Sequence, residues 1–309
     1  MKTAHELALH LALLLVVPPL LLGVIQRTKA WFAGRSGPPL LQPYFDLWKL
    51  LHKGTVYSGT TTWLFQAGPM VSLATALCAG LIVPLGGSSA PLGFSGDVIL
   101  LVALLGLGRF FTMAAALDTG SSFEGMGASR EAAFSAFAEP ALLLCLAILC
   151  IPARSVSLGA ALATLSSLAP GVSHPAYLAA ALTLFAVLLA ENARIPIDDP
   201  NTHLELTMIH EVMVLDHGGP DLAFVLYGSA VKLFVLGALL VHVVVPPPPK
   251  GGWEGVALLL CGQLGLAVAV GCVESMTARF RLPRVPQFLV GASVLAGIGL
   301  ATLLYRGTP

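Results

Sequence analysis

The chain has 309 residues, 56% hydrophobic and 10% charged, with no formal net charge and a mean hydropathy of +0.86. Soluble domains carry roughly a quarter charged residues, so this composition excludes a water-facing globule and selects lipid as the solvent. Its 16 basic and 16 acidic residues are dispersed, and without a dense Lys/Arg run a nucleic-acid-binding role is excluded as well.

Apolar runs long enough to cross about 30 Å of hydrocarbon fall near 5–26, 65–86, 97–118, 132–152, 174–193, 222–245, 254–275 and 286–305. The expectation is an all-α membrane protein of about eight transmembrane helices, forming one polytopic domain over 1–309. The first run has only Lys2 ahead of it and no clear small-residue cleavage site, so it is read as a retained helix. The stretch 156–169 is apolar but short, and is expected in a connection on the outer side. Short loops on one side hold Arg27, Lys29, Arg35, Lys49, Lys53, Arg130, Arg194, Arg279, Arg281 and Arg284, against Lys2, Arg154, Lys250 and Arg306 on the other. Positive charge stays inside, so both termini are expected outside, in a cell (inner or plasma) membrane. Between the first two runs, Pro43 opens a segment over about 42–53. Its apolar Phe45, Leu47, Trp48, Leu50 and Leu51 alternate with Asp46, Lys49 and Lys53 at helical spacing. An amphipathic helix lying in the membrane interface is expected there.

Four ionisable residues, Arg109, Glu139, Glu191 and Lys232, fall within or at the end of apolar runs. Each costs about 2.5–3.5 kcal/mol to insert and is a functional candidate for that reason. Pro140 removes an amide donor beside Glu139. The loop over about 194–221 is acidic although it lies on the basic side. It holds Asp198, Asp199, Glu205, Glu211, Asp216 and Asp221, interleaved with His203, His210 and His217. Carboxylates among histidines that titrate near neutrality suit the gathering and relaying of protons. The histidines recur every seven residues, which would align them on one helical face about 10.5 Å apart, too far to share a metal. His210-Glu211 fails the zinc motif H-E-x-x-H, because Val214 holds the last position. No nucleophile elbow or phosphate-binding glycine loop is present. The five cysteines, Cys78, Cys145, Cys150, Cys261 and Cys272, sit in apolar runs without a C-x-x-C pair, which reads as packing rather than metal binding.

Three stretches carry a family resemblance. RSGPPLLQPYFDLWKL, from Arg35 to Leu50, resembles the first-loop signature of the subunit 1 family of respiratory-chain NADH dehydrogenase (complex I). DTGSSFEGMGASRE, from Asp118 to Glu131, and ENARIPIDDPNTHLELTMIHE, from Glu191 to Glu211, are closer to that family's hydrogenase branch. That branch is the membrane subunit of group 4 nickel–iron hydrogenases of the formate hydrogenlyase type. The resemblance spans nearly the whole chain. It implies a non-catalytic subunit that docks a hydrophilic electron-transfer arm and couples its redox chemistry to ion movement. It also implies a proton path through Glu139, Glu191, Asp198, Asp199, Glu205 and Glu211; the intramembrane Lys232 is expected to join that path, and partner docking is expected at Arg35, Gln42, Asp46, Arg130 and Arg194. The implied partners are hydrogenase large and small subunits, iron–sulfur electron-transfer subunits and antiporter-like membrane subunits. They would hold the nickel–iron centre and the clusters, leaving no metal or cofactor in this chain. Ile-Pro-Ile-Asp-Asp-Pro stands where the complex I branch has Pro-Phe-Asp, which argues against quinone binding. Three rival readings stay open: the quinone-site subunit of a complex I-like enzyme, a free-standing ion-coupled transporter, and a purely structural anchor with no ion pathway.

Overall fold

The computed structural model describes residues 4–86, 89–167, 175–198, 208–248 and 252–306, and among them there is helix and loop but no strand. Ten α-helices follow in order: α1 Ala4–Phe32, α2 Gln42–Leu51, α3 Trp63–Ile82, α4 Asp97–Asp118, α5 Ser122–Ala153, α6 Leu158–Ser167, α7 Pro175–Glu191, α8 Gly219–Val244, α9 Trp253–Met276 and α10 Arg284–Arg306. Seven are long and apolar enough to cross a membrane. The eighth expected span is α7, whose 17 residues reach about 25 Å, at the lower limit for a crossing.

The apolar runs located these helices but not their full length. Helix α1 continues to Phe32 and α5 starts at Ser122, because a helix can outrun the hydrocarbon into the polar interface where hydropathy no longer marks it. The stretch 156–169 is not a plain connection. Ten of its residues form α6, too short to cross, with Leu158, Leu162 and Leu165 buried. The buried Asp97 carboxylate ties down its start, accepting from the Leu158 amide at 2.7 Å and the Ser157 hydroxyl at 3.3 Å.

Helix α8 is the most buried span and touches α1, α3, α7 and α9; α10 closes against α5 and α7. Two consecutive prolines, Pro18 and Pro19, lie inside α1. Pro19 has no N–H to give the Leu15 carbonyl four residues back. The Tyr227 hydroxyl of α8 supplies that bond at 2.8 Å, and the Tyr44 hydroxyl of α2 donates to the neighbouring Val16 carbonyl. Helix α2 falls where the amphipathic helix was expected. It packs on α1 and α8 and leaves Phe45 and Trp48 exposed, with Lys49 on its polar side.

The expected helical row of histidines is not formed. Residues 211–214 make a 3-10 turn and 215–218 are not helical, while His203 lies outside the described residues. The reason is local. Gly127 of α5 is bare where a Cβ would sit 2.4 Å from Val212 Cγ1 and 2.9 Å from the Ile209 carbonyl. The segment lies close against α5 there, and the Ile209 and His210 amides donate to Asp198 rather than to carbonyls four residues back, as a helix running through the three histidines would require.

Candidate functional site

Hydrogen bonds and ion pairs gather the ends of the spans. Thr62, capping α3, donates from its amide and hydroxyl to Asp118 at the end of α4; Lys29 of α1 and Arg194 after α7 both reach Glu274 of α9. One end of the bundle thus holds the charged loops, and α1 begins and α10 ends at the other.

Arg109 organises the centre of this end. It projects from α4 and is 9% exposed. Its Nη1 donates to Glu139 Oε1 of α5 at 2.7 Å and its Nη2 to Glu191 Oε1 of α7 at 2.6 Å. Its Nε lies 3.6 Å from Glu131 Oε1, and Lys232 Nζ of α8 lies 3.5 Å from Glu191 Oε2. Three carboxylates therefore face two cations. The formal deficit is one positive charge, which a single proton would supply.

His210 completes the wall. A cavity of about 30 Å³, roughly one water in size, is lined by Arg109, Glu131, His210 and Lys232 together with the hydroxyls of Ser72, Thr75, Thr112 and Ser229. A second, of about 20 Å³, joins Glu131, Glu191 and Asp198. Burial first, then the neighbouring Lys232 charge, pushes the His210 imidazole down to about 4, against the pull of Glu191. His210 is therefore neutral at physiological pH and able both to donate and to accept.

Asp198 holds His210 in position. Its Oδ2 accepts from the Ile209 and His210 amides at 3.1 and 3.0 Å, and its Oδ1 pairs with Arg279 at 2.8 Å. Phe280 donates its amide to the Pro196 carbonyl, binding the α9–α10 connection to the same loop. Ala193 takes a left-handed φ of 48°, which ends α7 just after Glu191.

The structure brings together Glu139, Glu191, Lys232 and, through its loop, Asp198. Glu211 is half-buried at the start of the 3-10 turn; Asp199 and Glu205 lie outside the described residues. Of the expected docking residues, Arg35 is exposed and Gln42 donates to Asp46 on the surface at 2.8 Å. Arg130 donates to the Met208 carbonyl at 2.7 Å, and Arg194 turns inward to Glu274. Sequence reasoning missed Glu131 and Glu274. Glu131 stands about two helical turns before Glu139, a relation that appears only once both are placed on α5. Glu274 falls in the last turn of α9 and is buried. A further buried group, Glu124, His217 and Asp221, lies near the α5 and α8 starts, with His217 stacked on Phe65 at 4.0 Å. Burial pushes His217 below its ordinary value, against the opposing charges of Asp221 and Asp216.

A bundle of membrane-spanning helices with a guanidinium-centred carboxylate network across α4, α5, α7 and α8 defines a polytopic membrane protein with an ionisable interior. Residues 5–306 match the family model described as NADH dehydrogenase, and the chain belongs to that family, in its subunit 1 lineage. It is 30% identical over 304 residues to formate hydrogenlyase subunit 4 of Escherichia coli (strain K12), covering 94% of each chain. It is 33% identical over 237 residues to hydrogenase-4 component C of the same strain, covering 76% of this chain and 73% of that one. An NADH-quinone oxidoreductase subunit of Syntrophotalea carbinolica is 28% identical over 280 residues, covering 86% of this chain and 81% of its own. In fold, the chain resembles one from the structure of the membrane-bound sulfane sulfur reductase, an archaeal respiratory membrane complex. The TM-score is 0.84 at 22% identity, over 96% and 97% of the two chains.

Proposed function

We propose that this chain is the membrane-anchor and proton-translocating subunit of a multisubunit nickel–iron hydrogenase of the formate hydrogenlyase type. Hydrogenase large and small subunits and iron–sulfur electron-transfer subunits dock at its charged end and carry the metal centres. Antiporter-like subunits join it within the membrane. The near full-length relation to formate hydrogenlyase subunit 4 supports the choice of complex.

The observation that carries the coupling role is the Arg109 network. Glu191, with its side chain 3% exposed, sits at the inner end of a line of groups that reaches Glu139, whose side chain is 43% exposed. A carboxylate that open to hydrocarbon is costly, so a neighbouring membrane subunit covers it in the assembly. A proton arriving near His210 would pass between Glu131, Glu191 and Glu139 as each gains and yields hydrogen bonds to Arg109 and Lys232, and leave at Glu139 toward that neighbour. The buried guanidinium keeps the carboxylates close without itself losing a proton.

The test is to tag the chain, solubilise the membrane gently, and assay the isolated complex for nickel, iron and viologen-driven hydrogen evolution. Nickel with hydrogen evolution is expected. An iron-rich, nickel-free complex with bound quinone would move the assignment to an NADH-quinone oxidoreductase, and a lone metal-free chain would leave a transporter. In the nickel-containing complex, Glu139→Gln and Glu191→Gln are expected to keep viologen-driven hydrogen evolution while abolishing turnover-driven acidification in vesicles. Undiminished acidification in both would reduce the chain to a structural anchor.

A further inference from the structure

The folded-back loop after α1 builds a second site, unconnected to the proton network. Gly37 takes φ 64° and turns the chain, so that the loop runs antiparallel to α1. The return is close: a Cβ on Gly23 would sit 2.0 Å from the Leu40 carbonyl oxygen, so only a bare glycine admits it. Helix α9 closes the third side, with Gly271 against Thr28.

The groove between these segments has a volume of about 520 Å³. On α1 and on the loop the lining passes from an apolar residue to an arginine, while the α9 wall stays uncharged. On α1, Val24 lies at the membrane end, Arg27 and Thr28 one turn further, and Trp31 at the rim. On the loop, Leu40 is deep, with Ser36 and Arg35 at the rim; on α9, Val268 precedes Cys272. Trp31 is 75% exposed although Trp favours the membrane–water interface. Arg27 spends one donor on the Pro38 carbonyl, at 3.4 Å, leaving most of its fork open.

We propose that this groove binds an anionic phospholipid of the charged-end leaflet, with its phosphate between Arg27 and Arg35 and one acyl chain along Val24, Leu40 and Val268. Charge complementarity selects this occupant. Two guanidiniums above an apolar slot match a phosphate joined to a hydrocarbon tail. A neutral isoprenoid headgroup would leave both cations unanswered, and an apolar partner helix would leave them facing hydrocarbon.

The full chain in nanodiscs of phosphatidylcholine containing a minor share of phosphatidylglycerol tests this, with bromine on the acyl chains of one lipid at a time. Trp31 is read as the difference between the chain and Trp31→Phe. Brominated phosphatidylglycerol is expected to quench Trp31 as though enriched on the order of tenfold over its bulk share, and the enrichment is expected to fall as salt rises. Arg27→Gln with Arg35→Gln should bring quenching down to the bulk share, while Arg27→Lys with Arg35→Lys should retain much of it. Quenching in proportion to bulk composition in the unaltered chain, or enrichment that survives the paired glutamines, would overturn the proposal. Trp31 unquenched by either lipid would also overturn it and give the groove to a protein partner.

Discussion

At Arg109, bonds of 2.7 and 2.6 Å to two glutamates make one side chain the counter-charge for helices α5 and α7 together. Removing a single partner from a buried pair costs about 3–5 kcal/mol, because the other charge is stranded. Arg109→Met is therefore expected to lower the thermal midpoint of the purified protein markedly, and adding Glu191→Met should recover part of the loss. Strictly additive losses would show the two groups to be uncoupled. His210 makes a pH prediction. Its folded value, about 4, lies below the ordinary 6.5, so between those values the unfolded chain binds more protons than the folded one. Its contribution is then complete above about pH 6.5 and is lost as pH falls toward 4. Midpoints measured across that window should fall less steeply for His210→Gln. Arg109, Glu139, Glu191 and Lys232 were legible in the sequence because an ionisable group in an apolar run has no ordinary reason to be there. Glu131 was not, since it closes a polar motif ahead of such a run. Its part emerges only once that motif is seen to be the first turns of α5.

Among the elements, the segment 208–214 lies where the outcome departed furthest from periodicity. Seven-residue spacing is a helical signal, but the Ile209 and His210 amides are spent on Asp198, and the bare face of α5 at Gly127 lets the turn that follows pack closely. Gly127→Val would drive side-chain carbon into Val212 and the Ile209 carbonyl, at a cost of about 1–3 kcal/mol. The expected result is faster hydrogen exchange across 208–214, with exchange in the centre of α8 unchanged. Equal exchange in both proteins would mean that the turn does not depend on this contact. The spans themselves were readable because about twenty apolar residues have few alternatives in a membrane. Their ends were not, since α1 and α5 continue past the lipid with polar sequence that helix geometry tolerates.

For the whole molecule, hydropathy could count the spans but not arrange them. That α10 packs on α5 and α7, or that α1 packs on α9, depends on side-chain fit and on ion pairs between distant segments. The arrangement leaves one outer face of mixed character. Phe110 of α4 and Leu143 of α5 are exposed on the side of the partly exposed Glu139. A photo-crosslinking residue at Phe110 or Leu143 in the assembled complex is expected to capture a membrane protein, whereas one at Val294 of α10, also exposed, should capture lipid. Lipid adducts at all three positions would remove the case for a neighbouring protein at Glu139.

The paired prolines of α1 bear on biosynthesis. The Leu15 carbonyl receives its hydrogen bond from Tyr227, 212 residues later. At about 5–20 residues per second, the ribosome needs roughly 10 to 40 s to deliver that hydroxyl. Through that interval the first span is in the bilayer, or held at its insertion machinery, with a polar defect that no nearby residue mends. A nascent chain stopped before α8 would keep that carbonyl without its hydroxyl partner.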